Sequence, residues 1–226
     1  GSGADSLAGG GGTDLLTGGD GNDTLNGGSG NDTLDGGAGF DTASFADAGQ
    51  GVTLELFGAL DVPDVALIGK ADQTLWHIEA VTGSAFADDL RSYRDLGHNL
   101  LDGGDGADTL SGGRGDTLLG GNGDDLLFTN PGRHLGPGAS LTDGGAGDDE
   151  LIGGYKSADL LQGGDDNDLL HWDQPKAGDD TLDGGAGDDT ASFNGFGVTA
   201  DLSAGTARYG AASDVATLVG IENLSG

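Results

Sequence analysis

Apolar positions recur at a fixed interval along the first part of the chain. Leu7, Leu16, Leu25 and Leu34 are nine residues apart, and Ala43 takes the next place in the series. Two residues before each stands an aspartate: Asp5, Asp14, Asp23, Asp32 and Asp41. Glycines fill most of the remaining positions, so the unit reads Gly-Gly-x-Gly-x-Asp-x-Leu-x, as in Gly27 to Asp35. A period of nine matches neither the 3.6-residue period of a helix nor a long alternating strand. The x-Leu-x triplet predicts a minimal strand, with leucine on one face and its neighbours on the other. The glycines predict sharp turns, because they reach positive φ without a Cβ clash. No segment of helical length carries a good 3.6-residue period.

The beat returns from Asn99 onward with less regularity. Asp108, Asp116, Asp125, Asp149, Asp159, Asp168 and Asp180 each precede a leucine by two residues, and Asp189 precedes Ala191. Lys156 and Asp166 stand where the third glycine of a unit belongs, and insertions fall near 129–143 and 172–177. Both runs close on the same words, Gly-Gly-Ala-Gly-Phe/Asp-Asp-Thr-Ala-Ser-Phe, at 36–45 and 184–193. Each is followed by an alternating stretch after Gly-Val-Thr (Val52, Leu54 and Leu56 in the first), then by Leu-Trp-His-Ile-Glu-Ala-Val-Thr-Gly at 75–83 or Leu-Val-Gly-Ile-Glu-Asn-Leu-Ser-Gly at 218–226. After Gly83 the Asp88/Leu90 pair resumes the beat. The expected organisation is a first repeat block at 1–44 and a strand-rich connector at 45–87 that caps or extends the repeats. An irregular second block at 88–192 and a second, truncated connector at 193–226 follow. Such a chain reads as an excerpt of a longer protein.

Two units should bring the chain back to its starting side, so that successive coils stack as parallel strands about 4.8 Å apart around a thin leucine interior. Composition makes this stack electrostatically awkward. Leu, Ile, Val and Phe supply only 48 of 226 residues, 50 are glycine, and the net charge is −31. A core this thin stabilises little against chain entropy and self-repulsion. The acid is 35 Asp against 4 Glu, a short-armed bias that suits turns and metal ligation more than solubility. Stacking sets aspartates above one another, where like charges repel by about 1 kcal/mol in water and several near a protein surface. A cation between coils reverses that sign. Carboxylate and carbonyl oxygens suit Ca2+, whereas Mg2+ retains its waters and Zn2+ wants thiolate or imidazole that the chain, with no cysteine and 4 histidines, does not cluster.

The nonapeptides resemble the repeats-in-toxin (RTX, haemolysin-type) calcium-binding repeat over residues 1–44 and about 88–192. The resemblance implies an all-β fold, a right-handed parallel β-roll (a β-solenoid) with several calcium ions between its coils. It assigns the aspartates of the regular units as ligands: Asp14, Asp23, Asp32, Asp41, Asp108, Asp125, Asp149, Asp168, Asp180 and Asp189. Asp5, Asp88, Asn99, Asp116 and Asp159 are added from terminal, isolated or irregular units. Turn carbonyls would come from Gly18, Gly19, Gly21, Gly27, Gly28, Gly30, Gly36, Gly37 and Gly39. It further implies type I secretion to the cell exterior or surface, with calcium folding the chain outside the cell. The expected role is a folding, secretion and spacer module of a large adhesin-like protein. The alternative is an accessory module of an extracellular protease, lipase or alginate epimerase whose catalytic domain lies outside this chain.

The same charge disfavours nucleic acid and anionic membranes as partners, and no run of about 18 apolar residues provides a membrane-spanning helix. Expected partners are calcium, neighbouring repeat blocks of the parent protein and an unspecified cell-surface or carbohydrate ligand. Arg114-Gly115-Asp116 spells an adhesion tripeptide, but an arginine at a variable repeat position explains it. His77, His98, His134 and His171 share no spacing, and Trp76 and Trp172 read as packing residues. Nothing forms a catalytic constellation, so no enzymatic activity is expected within these residues. Leu126, Leu160 and Leu169 precede core leucines and should point outward, covered by the insertions or, alternatively, lining a partner-binding strip.

Overall fold

In a computed structural model of the chain, the residues described are 1–57, 63–69, 71–93, 98–129, 139–154, 158–172, 179–193, 197–209 and 215–226. Most of both insertions, together with Lys156 and His134, lies outside them. No helix occurs among the described residues. The first block forms β1 (Ser6–Ala8), β2 (Leu15–Asp20), β3 (Thr24–Asn26), β4 (Thr33–Ala38) and β5 (Thr42–Ser44). The first connector forms β6 (Thr53–Leu56), β7 (Asp64–Ile68), β8 (Ala71–Trp76) and β9 (Ala80–Thr82). The second block forms β10 (Asp89–Ser92), β11 (Leu100–Asp105), β12 (Thr109–Gly112), β13 (Thr117–Asn122), β14 (Leu126–Thr129) and β15 (Leu141–Ala146). It continues with β16 (Glu150–Ile152), β17 (Leu160–Asp165), β18 (Leu169–Trp172), β19 (Thr181–Ala186) and β20 (Thr190–Phe193). The second connector forms β21 (Val198–Asp201), β22 (Thr206–Tyr209), β23 (Val215–Val219) and β24 (Asn223–Ser225).

These strands make two facing sheets of 12 strands each. The first runs β1-β3-β5-β9-β11-β13-β15-β17-β19-β23-β22-β21 and the second β2-β4-β8-β7-β6-β10-β12-β14-β16-β18-β20-β24. Within the repeat blocks, consecutive strands alternate between sheets and pair in parallel one coil on, which is a β-solenoid. Register is set by the repeat itself: Leu16 lies beside Leu34, Leu101 beside Leu118, and Leu110 beside Leu127. Leu25, Leu34, Leu101, Leu110, Leu118, Leu127 and Leu151 are wholly buried and form one continuous core. A one-residue slip would turn every leucine outward, so the alternation fixes pairing strongly.

Most of the strands are longer than the expected triplet. β2, β4, β11, β13, β15, β17 and β19 run six residues because their glycine pairs also join the ladder, Gly19 opposite Gly37 and Gly104 opposite Gly121. Insertions leave the register intact. The distance between stacked aspartates is 18 residues in the first block but 17 to 24 in the second, and the difference is taken up at the turns.

The connectors are part of the sheets. β6, β7 and β8 form an antiparallel meander within the second sheet, with β8 parallel to β4 and β6 parallel to β10. β21, β22 and β23 repeat this at the end of the first sheet, with β23 parallel to β19. Val52, Leu54 and Leu56 are buried, as their alternation requires. Leu126, Leu160 and Leu169 are half-buried on the outer faces, beside the buried Leu127, Leu161 and Leu170.

A candidate calcium centre along the turns

The turns between sheets stack into two columns, one on each edge of the solenoid. The edge leading into the first sheet carries Asp5, Asp23, Asp41, Asn99, Asp116, Asp159 and Asp180. The edge leading into the second carries Asp14, Asp32, Asp88, Asp108, Asp125, Asp149, Asp168 and Asp189. All but Asp5 and Asp14 are buried. The glycines make this possible. At Gly30 the chain takes φ of 130°, and a Cβ there would overlap the carbonyl oxygen of Gly12 in the coil before. Gly19, Gly21, Gly28, Gly37 and Gly39 turn with positive φ in the same way.

Within each column one carboxylate oxygen has a fixed task. Oδ1 accepts the backbone N–H of the residue stacked one coil earlier. Asp5 N–H donates to Asp23 at 2.8 Å, Asp14 to Asp32 at 2.9 Å and Asp23 to Asp41 at 2.7 Å. The ladder continues from Asp88 to Asp108, Asp125, Asp149, Asp168 and Asp189, each bond being 2.7–2.9 Å. On the other edge Asn99 donates to Asp116, Ser140 to Asp159 and Asp159 to Asp180 at 2.8–2.9 Å.

The second oxygen, Oδ2, separates the aspartates into two groups. In Asp14, Asp23, Asp32, Asp41, Asp108, Asp125, Asp149, Asp168 and Asp189 it is buried and has no hydrogen-bond donor among the described residues. A buried unpaired acceptor costs about 1–3 kcal/mol, more when it is charged, and such orphans in a native protein call for an explanation such as an ion. In the other group a protein donor takes the oxygen. Ser84 N–H serves Asp88 at 2.5 Å, Gly113 N–H serves Asp116 at 2.7 Å, Gly154 N–H serves Asp159 at 3.1 Å, and the Trp172 indole N–H serves Asp180 at 2.7 Å.

What surrounds the orphaned oxygens fits a hard cation. A Cβ placed on Gly103 would fall against Asp108 Oδ2 and the carbonyl oxygen of Gly120, one coil on. The same carboxylate-plus-carbonyl cradle lies at Gly120 (Asp125 and Gly144), Gly144 (Asp149 and Gly163) and Gly163 (Asp168 and Gly184). In the first block Asp14 Oδ2 shares it with the Gly27 carbonyl, and Asp23 Oδ2 with that of Gly36. The Gly18 carbonyl instead accepts from the Gly1 amino group and the Gly28 carbonyl from Gln73 Nε2. Among the described residues no three acidic, cysteine or histidine side chains converge. The donors are single carboxylates alternating with backbone oxygens, a set for Ca2+ and not for Zn2+.

Burial raises carboxyls in both groups, Asp180 to about 7 included. Burial pushes the carboxyls of Asp108, Asp149 and Asp168 up to about 7, a rise partly offset by the N–H bond to Oδ1 and reinforced by charged neighbours in the column. Burial likewise takes Asp125 up to about 6 and raises Asp41 and Asp189. Without a cation these groups are poor hosts for their own charge.

Some participants escape an Asp-x-Leu search. The ladder ends on glutamates: Asp41 N–H donates to Glu79 at 3.1 Å and Asp189 N–H to Glu222 at 3.0 Å. Gln73 sits in the column with a buried, unpaired Oε1 beside the Asp32 site, and Ser140 replaces an aspartate. Gln73-Thr74-Leu75, Glu79-Ala80-Val81 and Glu222-Asn223-Leu224 retain the two-residue spacing to an apolar residue, and that spacing was their signal. The histidines share no site: His77 meets Asp35 at 2.7 Å, His171 meets Glu150 at 2.9 Å, and His98 meets the Gly115 carbonyl. Asp116 is buried, so the Arg-Gly-Asp tripeptide does not present its carboxylate.

A family comparison agrees with the repeat reading. The family model described as the RTX calcium-binding nonapeptide repeat (4 copies) matches residues 1–25, 8–43, 95–119, 116–133, 143–171 and 176–194. No curated protein matches the chain. Among solved structures, the extracellular lipase LipA from Serratia marcescens aligns at 15% identity and a TM-score of 0.29, over 96% of this chain and 36% of the lipase.

Proposed function

The chain belongs to the RTX calcium-binding nonapeptide repeat family, and from that premise we propose that calcium occupies the orphaned carboxylates and drives its folding. The observation that carries this is the row of buried Oδ2 atoms without donors, each beside an oxygen of the next coil: a backbone carbonyl everywhere but at Asp32, where it is Gln73 Oε1. The occupied set in the first block is Asp14, Asp23, Asp32 and Asp41, on both edges. In the second block the orphaned carboxylates are Asp108, Asp125, Asp149, Asp168 and Asp189, all on one edge, and the Asn99 amide oxygen is also unpaired on the other. On the opposite edge Asp116, Asp159 and Asp180 are held by protein donors.

Bound calcium supplies positive charge between layers. The chain's own residues do the rest: glycine turns place the carbonyls, Oδ1 bonds fix each carboxylate, and the leucines hold the register. In calcium-poor surroundings the net charge of −31 and thin core favour an expanded chain, and metal binding then supplies the folding free energy. This suits a structural module of a secreted protein, exported unfolded and folded outside the cell. A spacer in a large adhesin-like protein is the reading favoured by two block-and-connector units in one chain. The accessory module of an extracellular enzyme is the second reading, and the full-length sequence separates them by what flanks the repeats.

Far-UV circular dichroism with calcium titration, together with native mass spectrometry, tests the proposal. The β signal should appear only with calcium, and the bound metal should be calcium. A complete β signal in chelator, or a chain loaded chiefly with zinc, would refute it.

A further inference from the structure

Each meander leaves one aspartate without a crossing turn above it. In the repeat blocks the chain passes from one sheet to the other over the aspartate of the coil before, and a backbone carbonyl of that crossing faces Oδ2. β8 does not arrive that way. It follows β7 within the second sheet, antiparallel to it, and then lies on β4. β23 reaches β19 in the same manner, from β22. Thr33 pairs with Thr74, and Thr181 with Thr217, so the residues set over Asp32 and Asp180 are Gln73 and Ala216.

The two cases are resolved differently. Over Asp180 stands the apolar Ala216, and Oδ2 takes the Trp172 indole N–H at 2.7 Å. Over Asp32 stands Gln73, and both side chains are buried. Nε2 of Gln73 donates to the Gly28 carbonyl at 3.0 Å. That bond orients the amide, because the opposite orientation would set oxygen against oxygen. Oε1 is thereby turned to the Asp32 site: it and Asp32 Oδ2 both lie 2.6 Å from the place a Cβ on Gly27 would take. Neither oxygen has a hydrogen-bond donor among the described residues. Two buried acceptors facing one place repel unless a cation lies between them, and side-chain amide oxygens are ordinary calcium ligands. The far end of β8 is built for the same purpose. The His77 carbonyl shares the cradle at Gly36 with Asp41 Oδ2, and His77 turns with φ of 52° where its counterpart Gly220 has 57°.

We propose that Gln73 is a calcium ligand, and that one ion held between its amide oxygen and the Asp32 carboxylate fastens the first connector to the first repeat block. The carboxylate comes from a nonapeptide and the second oxygen from a residue outside any of them. β8 is then pinned at both ends, by the Gln73 side chain on one edge and by the His77 carbonyl on the other. The meander becomes a part of the roll that calcium holds in place, whereas at Asp180 an indole N–H does without the metal. The proposal rests on the calcium-occupied roll described above.

Native mass spectrometry of the full chain in calcium counts the ions, and hydrogen exchange reads β7 and β8. Gln73→Leu should bind one ion fewer than the parent chain, and so should Gln73→Ala, which copies Ala216. In calcium at about a hundred times the Kd of the site, losing the ion should speed exchange in β7 and β8 by up to about a hundredfold and leave β13 to β18 unchanged. Gln73→Glu separates the ligand from the hydrogen bond. A carboxylate keeps an oxygen for the ion but cannot donate to Gly28, so the ion count of the parent should remain. Where a deletion does not fold, the count in Gln73→Glu decides. Unchanged counts in Gln73→Leu and Gln73→Ala overturn the proposal, as does a Gln73→Glu chain that lacks one ion. A parent chain that binds no calcium refutes the reading beneath the proposal, and the proposal with it.

Discussion

Asparagine in place of aspartate distinguishes the two edges of the second block. In Asp168→Asn the amide oxygen still accepts the Asp149 N–H, now 2.9 Å from Oδ1. The NH2 group replaces the orphaned Oδ2 and faces the cradle shared with the Gly184 carbonyl, where it can donate. Without calcium, an unpaired buried charge disappears and a donor meets an acceptor, a gain of about 1–3 kcal/mol. With calcium, a charged ligand is lost, and each tenfold loss of affinity removes about 1.4 kcal/mol of binding energy. For a chain of this size 1 kcal/mol moves Tm by about 2–4 °C. Asp168→Asn should therefore raise Tm in chelator, lower it in calcium, and reduce the calcium bound.

Asp180→Asn should behave differently. Oδ1 of Asp180 accepts from Asp159 N–H and Oδ2 from the Trp172 indole. An amide has a single acceptor oxygen, so either orientation leaves one of these donors unpaired. The variant should lose about 1–3 kcal/mol in chelator and in calcium alike, with calcium content unchanged. Differential scanning calorimetry in both buffers, with metal content by native mass spectrometry, makes the comparison. If both variants lower Tm equally in both conditions, the division of the edges is wrong.

In chelator, acid should favour the fold. Burial raises Asp108, Asp149 and Asp168 to about 7 in the fold against the ordinary carboxylate value of 3.8, so the stability they contribute is full below 3.8 and is lost as pH rises through 7. Circular dichroism in chelator should show more β structure at acid pH than above neutrality, while the calcium-loaded chain, where protons compete for the ligands, should show the reverse. Gly120→Ala should reduce calcium binding, because the added methyl fills the cradle between Asp125 Oδ2 and the Gly144 carbonyl; isothermal titration calorimetry reads the lost binding. Leu151→Ala should lose about 2–5 kcal/mol of stability in calcium by opening a cavity in a core one leucine thick, as measured by denaturant melts.

The repeat made most of the architecture legible. A nine-residue beat of aspartate, leucine and glycine is local information, and one unit placed correctly places its neighbours. Leu16 beside Leu34, and Asp23 stacked with Asp41 one coil on, follow from that beat; the N–H bond between the two aspartates does not. The connectors were only partly legible. The alternation of Val52, Leu54 and Leu56 indicates a strand, but no local signal says that β6, β7 and β8 enter the second sheet as a meander, since antiparallel and parallel partners suit the same alternation. Glu79 and Glu222 continue the carboxylate ladder with a longer side chain, which an aspartate search passes over.

By itself, then, the amino-acid order determined a parallel solenoid with leucines inside and stacked aspartates at its turns, because period and alternation act residue by residue. Only the tertiary structure decided which of those aspartates keep an oxygen free for a cation. Asp168 and Asp180 sit in the same Asp-x-Leu frame and differ in what the fold brings to Oδ2: a glycine carbonyl in one case, the Trp172 indole in the other. A donor that arrives from outside the repeat unit leaves no mark on the repeat.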